Sequence, residues 1–145
     1  MHKYLILIHV LAATIWVGGH LVLAIGFLPV VLKRQDLALL QGFESRYEKV
    51  GMPALLLLVI TGVWMALDYL PFAAWFNWQD HMSRHISLKL LWLAITLGLA
   101  AHARLRIIPK LSEKKLPLLA AHIIAITIVS VLFVITGLSI RLYFW

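Results

Sequence analysis

The chain alternates long apolar runs with short polar connections, and that alternation carries most of its structural information. Four runs stand out: Tyr4 to Leu32, Met52 to Leu70, Ile86 to Ile108 and Leu116 to Leu142. Each is near or above the ~20 residues a helix needs to cross a bilayer. Backbone amides in hydrocarbon have no solvent partner, so a spanning segment must satisfy its own hydrogen bonds, and unbroken runs of this kind do so as helices. A β-barrel would instead show short segments of alternating character. The pattern predicts an all-α, integral membrane four-helix bundle, a single four-span domain covering 1–145. The stretch DLALLQGFESRYEKVG before the second run is amphipathic and is expected to extend that helix beyond the bilayer, with Gly51 and Pro53 marking a kink or break.

Composition agrees: with 63% hydrophobic and 13% charged residues, the chain has more apolar surface than a soluble core of this size could hide. There is no cysteine, hence no disulfide framework and no thiolate metal site or nucleophile. A net charge of +7 gathered into one patch would suit nucleic acid, but here the charges sit between apolar runs and read as membrane topology, so no nucleic-acid partner is expected. The first and third connections hold Lys33, Arg34, Arg46, Lys49, Arg104, Arg106, Lys110, Lys114 and Lys115. The opposite side holds Lys3, Arg84, Lys89 and Arg141. That asymmetry puts the two basic connections in the cytoplasm and both termini on the periplasmic side of a bacterial inner membrane. The second connection, LPFAAWFNWQDHMSRH, is rich in Trp and Phe, as expected of a segment at headgroup level. The start has the character of a secretion signal but runs on as a full-length span without a clear cleavage site, and is expected to be retained.

Seven histidines in so short a membrane chain invite a chemical reading, because ionisable residues within spans are costly. His2 stands at the chain start and reads as a terminal residue. In HVLAATIWVGGH, His9 and His20 lie eleven positions apart, about three helical turns, and so share a face about 16 Å apart. Small residues such as Gly19, and Gly98 on the third span, would let a flat group or another helix come close. Counted along the helix axes, His20, His102 and His122 fall at similar heights in the inner half of the bilayer, each roughly 21–24 Å from the outer surface. His9, His81, His85 and Lys89 gather near the outer surface.

Imidazoles from facing helices at one height are what b-type haem requires for axial ligation, and bundle cores build such sites. Two of His20, His102 and His122 would hold an inner haem iron. His9, with His81, His85 or Lys89 opposite, would hold a second haem near the outer surface. Lys89 lies about 140° around its helix from His102, so the two cannot face one narrow seam, and a lysine near a helix end ordinarily reaches for the interface. His81 and His85, four apart with Met82 between them, also suit copper. Catalytic zinc is disfavoured because no carboxylate lies within the spans to act as a base: Asp68 is at a span end, and Glu44 and Glu48 are on the cytoplasmic side. A single histidine on an apolar helix, taken alone, is more often a packed and hydrogen-bonded residue than a ligand.

HVLAATIWVGG resembles the first-helix signature of CopD-type membrane proteins, named for copper resistance, and is similar to that of HemJ-type protoporphyrinogen oxidases, small b-haem membrane proteins. The likeness continues through PALLLLVITGVWMA and SLKLLWLAITLGLAAH. The resemblance implies a four-span bundle, haem ligation at His9, and a role for Lys89, which matches the third-helix lysine of those oxidases. On the fourth helix they carry an Asn-Glu-x-Pro-like motif, whereas HIIAITIVSVLFVITG has no carboxylate, which argues against porphyrinogen oxidation and leaves haem binding intact. The expectation is therefore a b-type haem membrane protein with one or two haems on His9, His20, His102 and His122, with Lys89 nearby. It would move electrons between quinol or another membrane reductant and a periplasmic partner, as an oxidoreductase linked to quinone or porphyrinogen, in contact with membrane lipid and with a homodimer as one form. The alternative is a copper-binding or copper-transporting CopD-like protein.

Overall fold

The structure, a computed structural model, describes residues 2–142; the side chains of His2 and Arg141 lie outside the described set. Five α-helices follow in order: α1 His2–Leu21, α2 Leu28–Arg34, α3 Leu37–Tyr69, α4 His81–His102 and α5 Leu116–Leu142. Two π-helical segments, Val22–Phe27 and Ala103–Ile107, join α1 to α2 and prolong α4. Among the described residues there is no strand. Four helical stretches are long and apolar enough to cross a membrane: Lys3–Arg34, Leu37–Tyr69, His81–Lys110 and Glu113–Ile140. The chain is thus an all-helical membrane protein of four spans.

The π segments have a cause in the sequence. Each ends two residues before a proline, Pro29 or Pro109. A proline offers no N–H to the carbonyl four residues earlier, here Ile25 or Leu105, and its ring crowds that carbonyl, so the chain widens by a turn instead of breaking. Gln35, in the left-handed region at φ 53°, then ends α2, and the Asp36 carboxylate accepts from the Leu39 N–H (2.9 Å) to begin α3.

Helix α3 starts fifteen residues before the apolar run and continues to Tyr69 through Gly51 and Pro53, where a kink or break is expected, without a break. Buried Leu40 on one side of Pro53 and buried Ala54 and Leu55 on the other anchor both halves, so the loss of one intrahelical bond does not divide it. At the other end of the molecule, Asp80 caps α4 by accepting from Ser83 N–H at 2.8 Å. That bond, from the backbone N–H of Ser83, holds the Asp80 carboxyl below the ordinary carboxylate range. The cap is accordingly intact above the ordinary Asp pKa and fails only as pH falls through the lowered value.

Helix α1 packs on α3 and α5, and α4 packs chiefly on α5. Two apolar clusters fill the interior. The larger lies where α2, the second π segment and the start of α5 meet, with Val31, Leu40, Ile107 and Leu116 nearly inaccessible. The smaller is Trp16, Leu55 and Ile126 at mid-height. Large side chains such as Ile25 and Leu105, each 72% exposed, point outward, as a bundle bathed in lipid requires. Below, the end bearing the connections at 35–36 and 103–115 is the basic end, and the end bearing 70–80 is the tryptophan-rich end.

Contact between α1 and α3 depends on Gly19. A Cβ there would overlap the Tyr47 ring, whereas one at Gly18 would meet nothing within 4 Å. Gly19→Leu is expected to destabilise the detergent-solubilised protein by about 1–3 kcal/mol through overpacking, and Gly18→Leu to be close to neutral, as read from paired thermal unfolding scans.

Candidate functional site

Within hydrocarbon an imidazole N–H must find an acceptor, and three histidines use the same one. The Nδ1 atoms of His20, His85 and His122 each lie 2.7–2.9 Å from the carbonyl four residues earlier, at Trp16, His81 and Leu118. A carbonyl only accepts, so each Nδ1 carries the hydrogen in the neutral ring and the lone pair resides on Nε2.

At the basic end this fixes a chain of two rings. His122, buried on α5, directs Nε2 at His102 Nδ1 on α4, 2.8 Å away. The rings are inclined by 24° with centres 5.0 Å apart, which is the separation of two imidazoles meeting edge to edge through facing nitrogens. His102 Nδ1–H therefore donates to His122 Nε2, and the remaining lone pair is on His102 Nε2. Here His102 borders a pocket of about 810 Å³ whose other lining residues are Leu105, Arg106, Lys110 and Lys115.

His20 does not join this pair. Its ring turns toward α3, 4.5 Å from the Trp16 ring and edge-on to Tyr47 at 5.5 Å. The Tyr47 hydroxyl donates to the Trp16 carbonyl at 2.9 Å, and its ring fills the space left by Gly19 and Gly51. Among the described residues, no three His, Asp or Glu side chains come together in a cluster able to hold a metal ion. Three imidazoles expected at one height thus resolve into a pair and a single: the His20 carbonyl accepts from Thr127 Oγ1, five residues along α5 from His122, and the His20 ring turns to α3.

Toward the tryptophan-rich end all four spans contribute to one level. His9 on α1 has Nδ1 2.7 Å from Thr61 Oγ1 on α3, and the Thr61 hydroxyl donates to Leu57 O. The hydroxyl therefore accepts from His9 Nδ1–H, and Nε2 again keeps the lone pair. A Cβ on Gly62 would crowd the His9 ring at 3.3 Å, and one on Gly137 of α5 would come 3.3 Å from Lys89 Nζ. Lys89 of α4 thus reaches toward α5 beside Gly137 rather than along the surface. His81 and His85 sit above on the first turns of α4, ring centres 4.3 Å apart. Between the two levels Trp92 Nε1 donates to Thr136 Oγ1 at 3.1 Å, and the register puts Thr96 opposite Ser130, both fully buried and both without a hydrogen-bond partner.

Sequence reasoning missed Tyr47, Thr61, Gly62 and Gly137. Thr61 and Gly62 adjoin in VITGVW, and that polar dipeptide inside an apolar run was the available signal. Gly98, expected to admit a flat group, faces open space. Arg104 reaches neither ligand nor pocket but pairs with Glu48 of α3.

A four-span helical bundle with imidazoles gathered at two levels is the class these features define. The chain belongs to the CopD family: the family described as copper resistance protein D matches residues 41–140, a stretch that includes α4 and nearly all of α3 and α5. No curated protein and no solved structure matches it.

Two measurements check the geometry. Nitrogen-15 NMR of histidine-labelled protein is expected to give Nδ1–H tautomers for neutral His9, His20 and His122; an Nε2–H signal at His122 would refute the donor order given above. Thr61→Val, which leaves His9 Nδ1–H without its acceptor, is expected to cost about 1–3 kcal/mol, with Thr61→Ser close to wild type in the same unfolding assay.

Proposed function

We propose that this chain binds copper within the membrane, as a copper-handling protein of a bacterial inner membrane, with His102 and His122 as the ligands at the basic end. The observation that carries the reading is their pair of facing nitrogens, 2.8 Å apart on neighbouring helices. Imidazole suits copper, and cuprous ion accepts few ligands. Two metal–nitrogen bonds of about 2 Å would need the nitrogens about 4 Å apart, a side-chain adjustment rather than a rearrangement of helices. On binding, His102 moves its hydrogen from Nδ1 to Nε2, and the ion takes the position of the shared hydrogen without net release of a proton. The Leu118 carbonyl holds the other ring in the orientation this needs, the role that outer partners play at metal-bound histidines. The description of the family by copper resistance supports the same reading. Competition of Cu(I) against a chromophoric chelator tests it. Wild type is expected to bind stoichiometrically, and His102→Ala or His122→Ala to weaken binding by at least about tenfold. Wild-type affinity in both variants would refute the assignment.

A second reading rests on the other level. His9 Nε2 with Lys89 nearby, and glycines on two of the surrounding helices, supports a b-type haem with His9 as an axial ligand, exchanging electrons with a quinol-like reductant. The visible spectrum separates the two: a Soret band that shifts on dithionite reduction and is lost in His9→Ala supports haem, and colourless, iron-free protein refutes it.

A further inference from the structure

We infer that the pocket at the basic end is a binding site for an anionic glycerophospholipid headgroup bearing a free hydroxyl, of the phosphatidylglycerol type. The contacts of the three cations do not depend on the copper reading; the hydroxyl contact belongs to the metal-free pair, in which His102 Nε2 carries no hydrogen. Three cations border the pocket, Arg106, Lys110 and Lys115, and among the described residues none of them pairs with a carboxylate. Lys115 only reaches the Arg106 carbonyl, at 3.3 Å. Neighbouring Arg104 is different, since Glu48 already neutralises it. Three guanidinium and ammonium groups facing one open space of about 810 Å³ call for an anion.

The fourth polar group narrows the chemistry. Arginine and lysine only donate hydrogen bonds. His102 has committed Nδ1–H to His122, so the nitrogen it retains at the pocket accepts. The complement is a group that presents anionic oxygens to three donors and a hydroxyl to one acceptor, which a phosphodiester with a glycerol headgroup supplies. Phosphatidylcholine lacks the hydroxyl and the net charge; phosphatidic acid has the charge without the headgroup glycerol and its alcohol hydroxyl, so the site is expected to prefer phosphatidylglycerol to both.

Position points to lipid as the source. The pocket is lined from the last turns of the third span and the connection to α5, where the helix leaves the hydrocarbon, and basic pockets at that height capture anionic headgroups. Leu105, 72% exposed at the rim, offers an apolar side for the acyl chain.

The test uses the full chain in nanodiscs containing equal phosphatidylglycerol, phosphatidic acid and phosphatidylcholine, followed by native mass spectrometry of retained lipid. Wild type is expected to keep phosphatidylglycerol over phosphatidylcholine by about tenfold or more, the scale that three nearby cations set. Arg106→Gln/Lys110→Gln/Lys115→Gln, checked for helicity by circular dichroism, should lose that preference, whereas Lys33→Gln/Arg34→Gln at the same end should keep it. Should the triple variant misfold, Lys110→Gln alone should lower retention measurably. His102→Ala should erase the preference over phosphatidic acid while sparing that over phosphatidylcholine. Unchanged retention in a folded triple or single variant, or equal retention of phosphatidylcholine by wild type, overturns the site. Binding of inorganic phosphate to lipid-free protein as tight as that of phosphatidylglycerol assigns the pocket to free phosphate and overturns the lipid.

Discussion

Hydrocarbon offers no hydrogen bonds, and the arrangement of this protein follows from that poverty of solvent. A polar group within the spans has only the chain's own atoms to turn to. The histidines do so by turning Nδ1 back on the preceding helical turn, or onto Thr61 in the case of His9. What begins as satisfaction of a donor ends as chemistry. Once Nδ1–H is spoken for, the basic nitrogen of each ring must be Nε2, and its direction is set by the backbone rather than by rotation in solvent.

The two ends of the bundle use that device differently. At the basic end the lone pair of one ring is answered by the hydrogen of another, so His122 and His102 form a relay from the Leu118 carbonyl to an open, positively charged pocket. At the level of His9 the lone pair is left within the protein, with Gly62 making room for the His9 ring and Gly137 for the Lys89 ammonium. The first arrangement favours an ion held between rings and an anion beside them; the second favours a flat, neutral-faced group. The two levels share no residue, so the haem proposal can be tested apart from the others; at the basic end His102 serves both the copper and the lipid proposals, and metal-free protein separates them.

The spans were legible because hydropathy is a property of composition along a line, and the fourth run coincides with α5. The start of α3 was less so: from Leu37 to Lys49 the helix carries charge on one side and is apolar on the other, so it was recognised as a helical extension but not as part of the same unbroken rod. Counting residues brought His102 and His122 to one level. Azimuth was not legible, because packing between helices decides it, and the His20 ring turned to α3. Lys89 was expected at the interface and instead reaches α5, since Gly137 leaves room for its ammonium there, a fact that belongs to the partner helix and not to the lysine's own surroundings in sequence. The pocket cations were visible as topology signals; their lack of acidic partners was visible only in three dimensions.

The run of cross-helix matches between α4 and α5, Lys89 at Gly137, Trp92 to Thr136 and His102 to His122, acts as a single alignment key. Sliding one helix past the other by a residue would strand every member at once in oil, whereas an all-leucine face could slip at little loss. The third and fourth helices can therefore seat in one phase only, and a mutation that silences any single tooth of the key leaves the others to hold it.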